Sequence, residues 1–140
     1  MKVLLAVDGS DYTKRMLDYL AAHDELLGPS HEYTALTVVT AVPAHAARHI
    51  ERQTLDGYYR EEATKVLDGV VAVAAQHGWN LTAVYRHGHA AEEIAALAER
   101  ESFDLVVLGT HGHSALGSLV LGSVASGVLA RAKKPILLVP

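Results

Sequence analysis

Residues 1–10 read MKVLLAVDGS, an apolar run, Val3–Val7, halted at Asp8. A secretory leader needs an apolar stretch of roughly 7–15 residues. This one is shorter, so a buried β-strand is the better reading. Strands covered on both faces of a parallel sheet carry no alternation of apolar and polar residues. LVVL at Leu105–Leu108 and ILLV at Ile136–Val139 repeat the pattern. YTALTVVTAV at Tyr33–Val42 and LTAVY at Leu81–Tyr85 are richer in β-branched residues and more mixed, as expected of strands nearer a sheet edge.

Between these runs apolar residues recur at helical spacing. Tyr12–Leu27 repeats Met16, Leu17, Leu20, Ala21 and Leu27, and Tyr59–His77 repeats Ala63, Val66, Leu67, Val70, Val73 and Ala74. Ala91–Arg100 offers Ile94, Ala95, Leu97 and Ala98; Val124–Ala132 offers Val124, Val128, Leu129 and Ala132, and Pro135 separates it from the last strand. The order β-α-β-α-β-α-β-α-β predicts one α/β domain over residues 1–140, with right-handed crossovers between parallel strands. The longest connection left over, Pro43–Gly57, exceeds ordinary loop lengths and reads as a lid or a locally helical excursion.

Half of the 140 residues are apolar, and 12 Lys and Arg stand against 16 Asp and Glu, a formal charge of −4. A packed core is therefore expected, and a nucleic-acid footprint of clustered cations is not. The absence of cysteine removes disulfides, thiolate zinc sites and cysteine nucleophiles. No stretch approaches the ~20 apolar residues of a membrane span. A cytoplasmic protein is the expectation.

Open parallel sheets bind ligands outside the carboxyl ends of their strands, where strand order reverses. Three glycine-bearing turns lie at such ends: Asp8-Gly9-Ser10, His87-Gly88-His89, and GTHGHSALGSLVLGSVAS at Gly109–Ser126. The last has no carboxylate and several hydroxyls. Its glycines admit positive φ or a close ligand. Successive amides can form an anion nest, and a following helix adds its amino end. Ser123, just before the Val124 segment, suits an N-cap or a phosphate-binding hydroxyl. If strands one and four are neighbours, Asp8 lies beside Gly109–Ser123. The span from Gly117 to Ser123 approximates a P-loop but lacks the lysine before Ser123, and no Gly-x-Gly-x-x-Gly follows the first strand. Both absences argue against a conventional NTPase or a Rossmann dehydrogenase.

The spacing Gly109-x2-Gly112-x9-Gly122-Ser123, with VDGS at Val7–Ser10 and KKPILLV at Lys133–Val139, resembles the ATP-binding subgroup of the universal stress protein family over the whole chain. The resemblance implies an open five-stranded parallel sheet, Rossmann-like, in the order 3-2-1-4-5 with helices on both faces. It implies ATP or another adenine nucleotide as ligand, with Mg2+ a candidate companion, in a stress-response switch. By position, Ala6, Val7 and Asp8 match the turn on the adenine and ribose side, and Val38 the strand-two residue whose backbone meets adenine. Leu108 and Gly109 match the ribose neighbours. His111, Gly112, Gly122, Ser123, Val124 and Ala125 match the phosphate surround. Some ATP-binding relatives carry a hydroxyl residue where Ala125 stands. Ser126 is the next hydroxyl here, turned ~100° around a helix, which puts one triphosphate contact in question. A homodimer paired through the last strand is also implied.

Plainer readings compete. The glycine stretch can be an ordinary loop, and Asp8, Ser10 or Asp11 a helix cap. The triplets His87-Gly88-His89 and His111-Gly112-His113 suggest a metal, but no carboxylate or cysteine stands close to either. In a 3-2-1-4-5 sheet three strand steps, about 14 Å, would separate them, and no metal site is expected. Glu92-Glu93 reads as a helix start, Glu61-Glu62 and Arg48–Arg52 as solvated faces, and Tyr58-Tyr59 as core contacts rather than a flap over a base. The glycine stretch offers no lysine or arginine, so any ATP hydrolysis would be slow. No catalytic residue is assigned, and His111 is the group to test for proton transfer. The alternative function is a module of this fold that binds another ligand or a partner protein; a phosphotransferase or adenylyl-transfer enzyme ranks third.

Overall fold

A computed structural model describes residues 1–113 and 120–140. Its strands are β1 (Lys2–Ala6), β2 (Glu32–Thr40), β3 (Asn80–Gly88), β4 (Leu105–Gly109) and β5 (Ile136–Val139). They form one parallel sheet in the order β3-β2-β1-β4-β5, the order the family resemblance implies. The helices among the described residues are α1 (Asp11–Ala22), α2 (Asp24–Leu27), α3 (Ala44–Ala47), α4 (Arg52–His77), α5 (Ala90–Arg100) and α6 (Ser123–Arg131).

The continuous apolar runs follow from burial on both faces. Val3, Leu5 and Val7 pack with Met16, Leu17 and Leu20 of α1 and with Ala63, Leu67, Val70 and Ala74 of α4. Leu4, Leu36, Val106 and Leu108 pack on the opposite face with Ile94, Leu97 and Ala98 of α5 and Ala125 and Val128 of α6. Each fully buried Leu, Ile or Val contributes about 1.5–3 kcal/mol relative to exposure. Period-2 side-chain alternation therefore loads both layers from one strand, and neither face has room for a polar residue over Val3, Leu4 and Leu5. Ala6 sits opposite Leu36 on one side and Leu108 on the other, so β1 ends level with the last residues of β4 while β2 runs on to Thr40 beyond it.

Several boundaries differ from expectation. The helix expected over residues 12–27 breaks at His23 (φ −126°, ψ 50°). Its ring turns back to the Tyr19 carbonyl at 2.8 Å and stacks on Tyr19 with centroids 4.1 Å apart. Residues 43–57 take the helical alternative, first as α3 and then as the opening turn of α4. That opening turn carries no apolar stripe because it faces solvent. At its other end α4 stops at Gly78, whose φ of 68° lets the Trp79 N–H close on the Ala74 carbonyl at 3.0 Å. Strand β2 ends at Thr40 rather than Val42, where Pro43 leads into α3.

Candidate functional site

A cleft of about 680 Å3 opens at the carboxyl ends of β1, β2 and β4. Ala6, Val7, Asp8, Val38, Leu108, Gly109, His111, Gly112, Gly122, Ser123, Val124 and Ala125 all line it. The sequence separates these residues into three groups; the strand order brings them together because β1 lies between β2 and β4. Gly117 lies outside the described residues.

One wall is apolar. Ala6, Leu36, Val38, Ile94, Leu108 and Ala125 belong to the α5–α6 layer of the core or pack against it. Such a wall suits the flat face of a heterocycle. The facing part is polar. Asp8 Oδ1 accepts the Ser10 N–H at 2.9 Å and the Thr13 hydroxyl at 3.0 Å. The Thr13 oxygen in turn accepts the amides of Asp8 and Gly9 at 3.0 and 3.2 Å. Asp8 thus braces the turn before α1 and also lines the cleft. Ser10 occupies the N-cap position of α1, yet no side-chain bond to the helix comes from it.

The glycine stretch begins where the chain leaves β4. The Gly122 N–H donates to the Thr110 carbonyl at 2.7 Å, tying the returning chain to the strand end. Gly122, not Ser123, is the N-cap of α6, and Ser123 is its first helical residue. The amides of Ser123, Val124 and Ala125 consequently belong to the first turn, whose N–H groups have no carbonyl partner within the helix. At Gly109, Gly112 and Gly122 positive φ is not what glycine supplies: among the described glycines it occurs at Gly9, Gly78 and Gly88. Close approach is the requirement instead. A Cβ at Gly109 would lie 2.7 Å from Tyr12 Cβ, one at Gly112 2.5 Å from Asp8 Oδ2, and one at Gly122 3.1 Å from His111 Cα.

The histidines divide between different neighbours. His111 Nδ1 and the Thr110 hydroxyl are 3.0 Å apart, and the Tyr12 ring lies 5.2 Å from that imidazole. His113 Nε2 donates to the Asp8 carbonyl at 2.7 Å, latching the glycine stretch to the β1 turn. His87 stacks on Tyr59 at 4.3 Å, far along the sheet on β3. Among the described residues no group of three or more His, Cys, Asp or Glu is arranged to hold a metal ion.

Sequence reasoning missed part of the lining. Thr13 and Thr37 contribute hydroxyls, and Tyr58, Glu62 and Lys65 reach the cleft from α4. The tyrosine pair splits: Tyr59 is core and its hydroxyl accepts the Val42 N–H at 2.9 Å, whereas Tyr58 is 40% exposed and faces the cleft. Glu62 is part-exposed, and its Oε1 accepts from Lys65 Nζ at 2.9 Å. That hydrogen bond, and then the carboxylate charge, lift the Lys65 ammonium above its ordinary pKa. The spacing 58, 62, 65 is the available signal, a helical stripe beside the core stripe. It becomes readable only once α4 is known to begin at Arg52.

The sequence model of the universal stress protein family matches residues 1–140. The universal stress protein YxiE of Bacillus subtilis is 30% identical over an alignment covering 99% of this chain and 97% of that one. The solved structure of hypothetical protein MJ0577 superposes with a TM-score of 0.79 at 26% identity, covering 99% of this chain and 94% of that one. The universal stress protein of Archaeoglobus fulgidus in complex with dAMP shares the fold with a TM-score of 0.71 at 19% identity, over 100% and 98% of the two chains. Among the described residues no helix is long and apolar enough to cross a membrane.

Proposed function

The chain belongs to the universal stress protein family, and from that premise we propose that its cleft binds an adenine nucleotide, ATP included, as the ligand of a stress-response switch. The observation that carries this reading is the convergence of three separated groups of residues on one cleft whose lining combines apolar side chains with the glycine stretch and the first turn of α6. Adenine suits the wall of Ala6, Leu36, Val38 and Leu108. Phosphate suits the first-turn amides of α6 and the glycine stretch, where the helix dipole favours negative charge. The Archaeoglobus fulgidus relative, solved with dAMP, supports the same class of ligand.

Magnesium fits one place. Asp8 Oδ1 is committed to Ser10 and Thr13, while Oδ2 faces the backbone of Gly112. Oδ2 and phosphate oxygens would hold the ion, which when bound supplies charge that the one lysine among the described lining residues does not. Fast hydrolysis needs more positioned cations than this lining provides. The reading is therefore a cytoplasmic binding regulator with slow turnover at most, assembled as a homodimer through the β5 edge.

Native mass spectrometry of freshly purified protein, together with heat extraction, tests the reading. An adenine nucleotide near one per chain is expected. A chain that is empty and does not respond to added ATP would overturn it in favour of a module for a different ligand.

A further inference from the structure

Lys65 is the one lysine or arginine among the described residues that line the cleft, and the nucleotide reading above gives it no part. Helix α4 brings it there with Tyr58 and Glu62. The next residue fastens the helix to the end of β1, since a Cβ at Gly9 would lie 3.3 Å from Val66 Cγ2. The same turn carries Asp8, whose Oδ2 abuts Gly112. Lys65 thus stands on α4 next to the residue that lies against the β1 turn, and that turn lies against the glycine stretch.

The charges of the lining are unbalanced. Two carboxylates, Asp8 and Glu62, face one fixed cation. Oδ1 of Asp8 is committed to its own turn. The Glu62–Lys65 pair is not: its side chains are 41% and 65% exposed and it joins residues on one helix. Exposed pairs of this kind are weakly held, and a phosphate offers an ammonium a stronger partner than a solvated carboxylate. Adenosine makes no such demand.

Resting on the nucleotide reading, we propose that Lys65 grades ligands by phosphate charge: Nζ leaves Glu62 for the phosphate chain of a polyphosphate ligand and stays on Glu62 when the ligand is uncharged. Glu62 is the competitor that sets how much phosphate charge is needed. No bond is made or broken in this exchange; one ion pair replaces another.

Calorimetric titration of adenosine and ATP into wild type, Lys65→Gln, Lys65→Arg and Glu62→Gln, in magnesium-free buffer, tests it. Lys65→Gln should weaken ATP about fivefold and leave adenosine unchanged. Glu62→Gln should strengthen ATP by a similar factor, and Lys65→Arg should keep ATP affinity near wild type. The ATP difference should shrink as salt rises. Equal loss of adenosine and ATP in Lys65→Gln, or no loss of either, overturns the grading role while leaving the nucleotide reading intact. A wild-type chain that binds neither ligand overturns the nucleotide reading and this role together.

Discussion

Gly112 lies so close to Asp8 that a Cβ on the glycine would come within 2.5 Å of the Asp8 Oδ2 atom. The carboxylate cannot swing aside freely, because Oδ1 holds the Ser10 N–H and the Thr13 hydroxyl. Gly112→Ala should therefore break those two bonds, costing about 1–2 kcal/mol, and should lower adenine-nucleotide affinity at least tenfold. Thermal melting and calorimetry measure the two effects. In an Asp8→Ala background the same glycine substitution should cost little more, since the clash has gone. Additive losses in the double variant would mean the two residues are not coupled.

The long helix offers a prediction of opposite sign. Gly57 and Gly69 lie within α4, and a Cβ at either meets nothing within 4 Å. Glycine inside an exposed helix costs about 0.5–1 kcal/mol relative to alanine. Gly69→Ala should thus raise the melting midpoint by roughly 2–4 °C for a chain of this size. A fall in the midpoint would contradict the packing of α4 described above.

Much of the fold was legible because burial on both faces writes itself into the sequence. The runs around Leu5, Val107 and Leu137 have no polar alternation because α1 and α4 cover one face of the sheet and α5 and α6 the other. The opening turns of α4 were not legible, since helix that faces solvent has no stripe to read. The site shows the same division. Gly109, Gly112 and Gly122 stand out locally, but the reason each must be glycine is long-range: Tyr12, Asp8 and His111 approach across chain separations that no local pattern encodes. Glu62 and Lys65 look like any solvated pair until the tertiary fold sets their helix against the strand ends.

Tyr33 gives the pH dependence a sign. It is 2% exposed, and its hydroxyl reaches the Leu27 and Gly28 carbonyls at 2.5 and 2.9 Å. Burial pushes its pKa up to about 12 from an ordinary 10.0. The folded chain therefore keeps a proton that the unfolded chain has lost. Below pH 10 this has no effect; between pH 10 and 12 stability falls, by about 3 kcal/mol at most. Tyr33→Phe should be less stable at neutral pH by about 1–2 kcal/mol, because the Leu27 and Gly28 carbonyls lose the one hydroxyl proton they share. It should also lose less on passing from pH 10 to 12. Urea midpoints measured across that window decide the matter, and parallel losses in both proteins would assign the alkaline sensitivity to other groups.

The open edge of the sheet carries the last expectation. Val106 donates to the Pro135 carbonyl and Thr110 to the Val139 carbonyl, each at 3.0 Å. In a parallel ladder alternate residues face the same neighbour, so Leu137 and Val139 bond β4 while Ile136 and Leu138 turn their N–H and C=O groups outward. An apolar strand with unpaired edge groups invites pairing with a second copy, and Pro140, without an N–H, would end such a ladder. Leu138→Pro removes an outward donor without removing any β4–β5 bond, so if the proposed dimer forms through this edge the variant should sediment as a folded monomer. A folded variant that still sediments as a dimer would move the interface off this edge. Leu129 of α6, 44% exposed, would then be the next position to substitute.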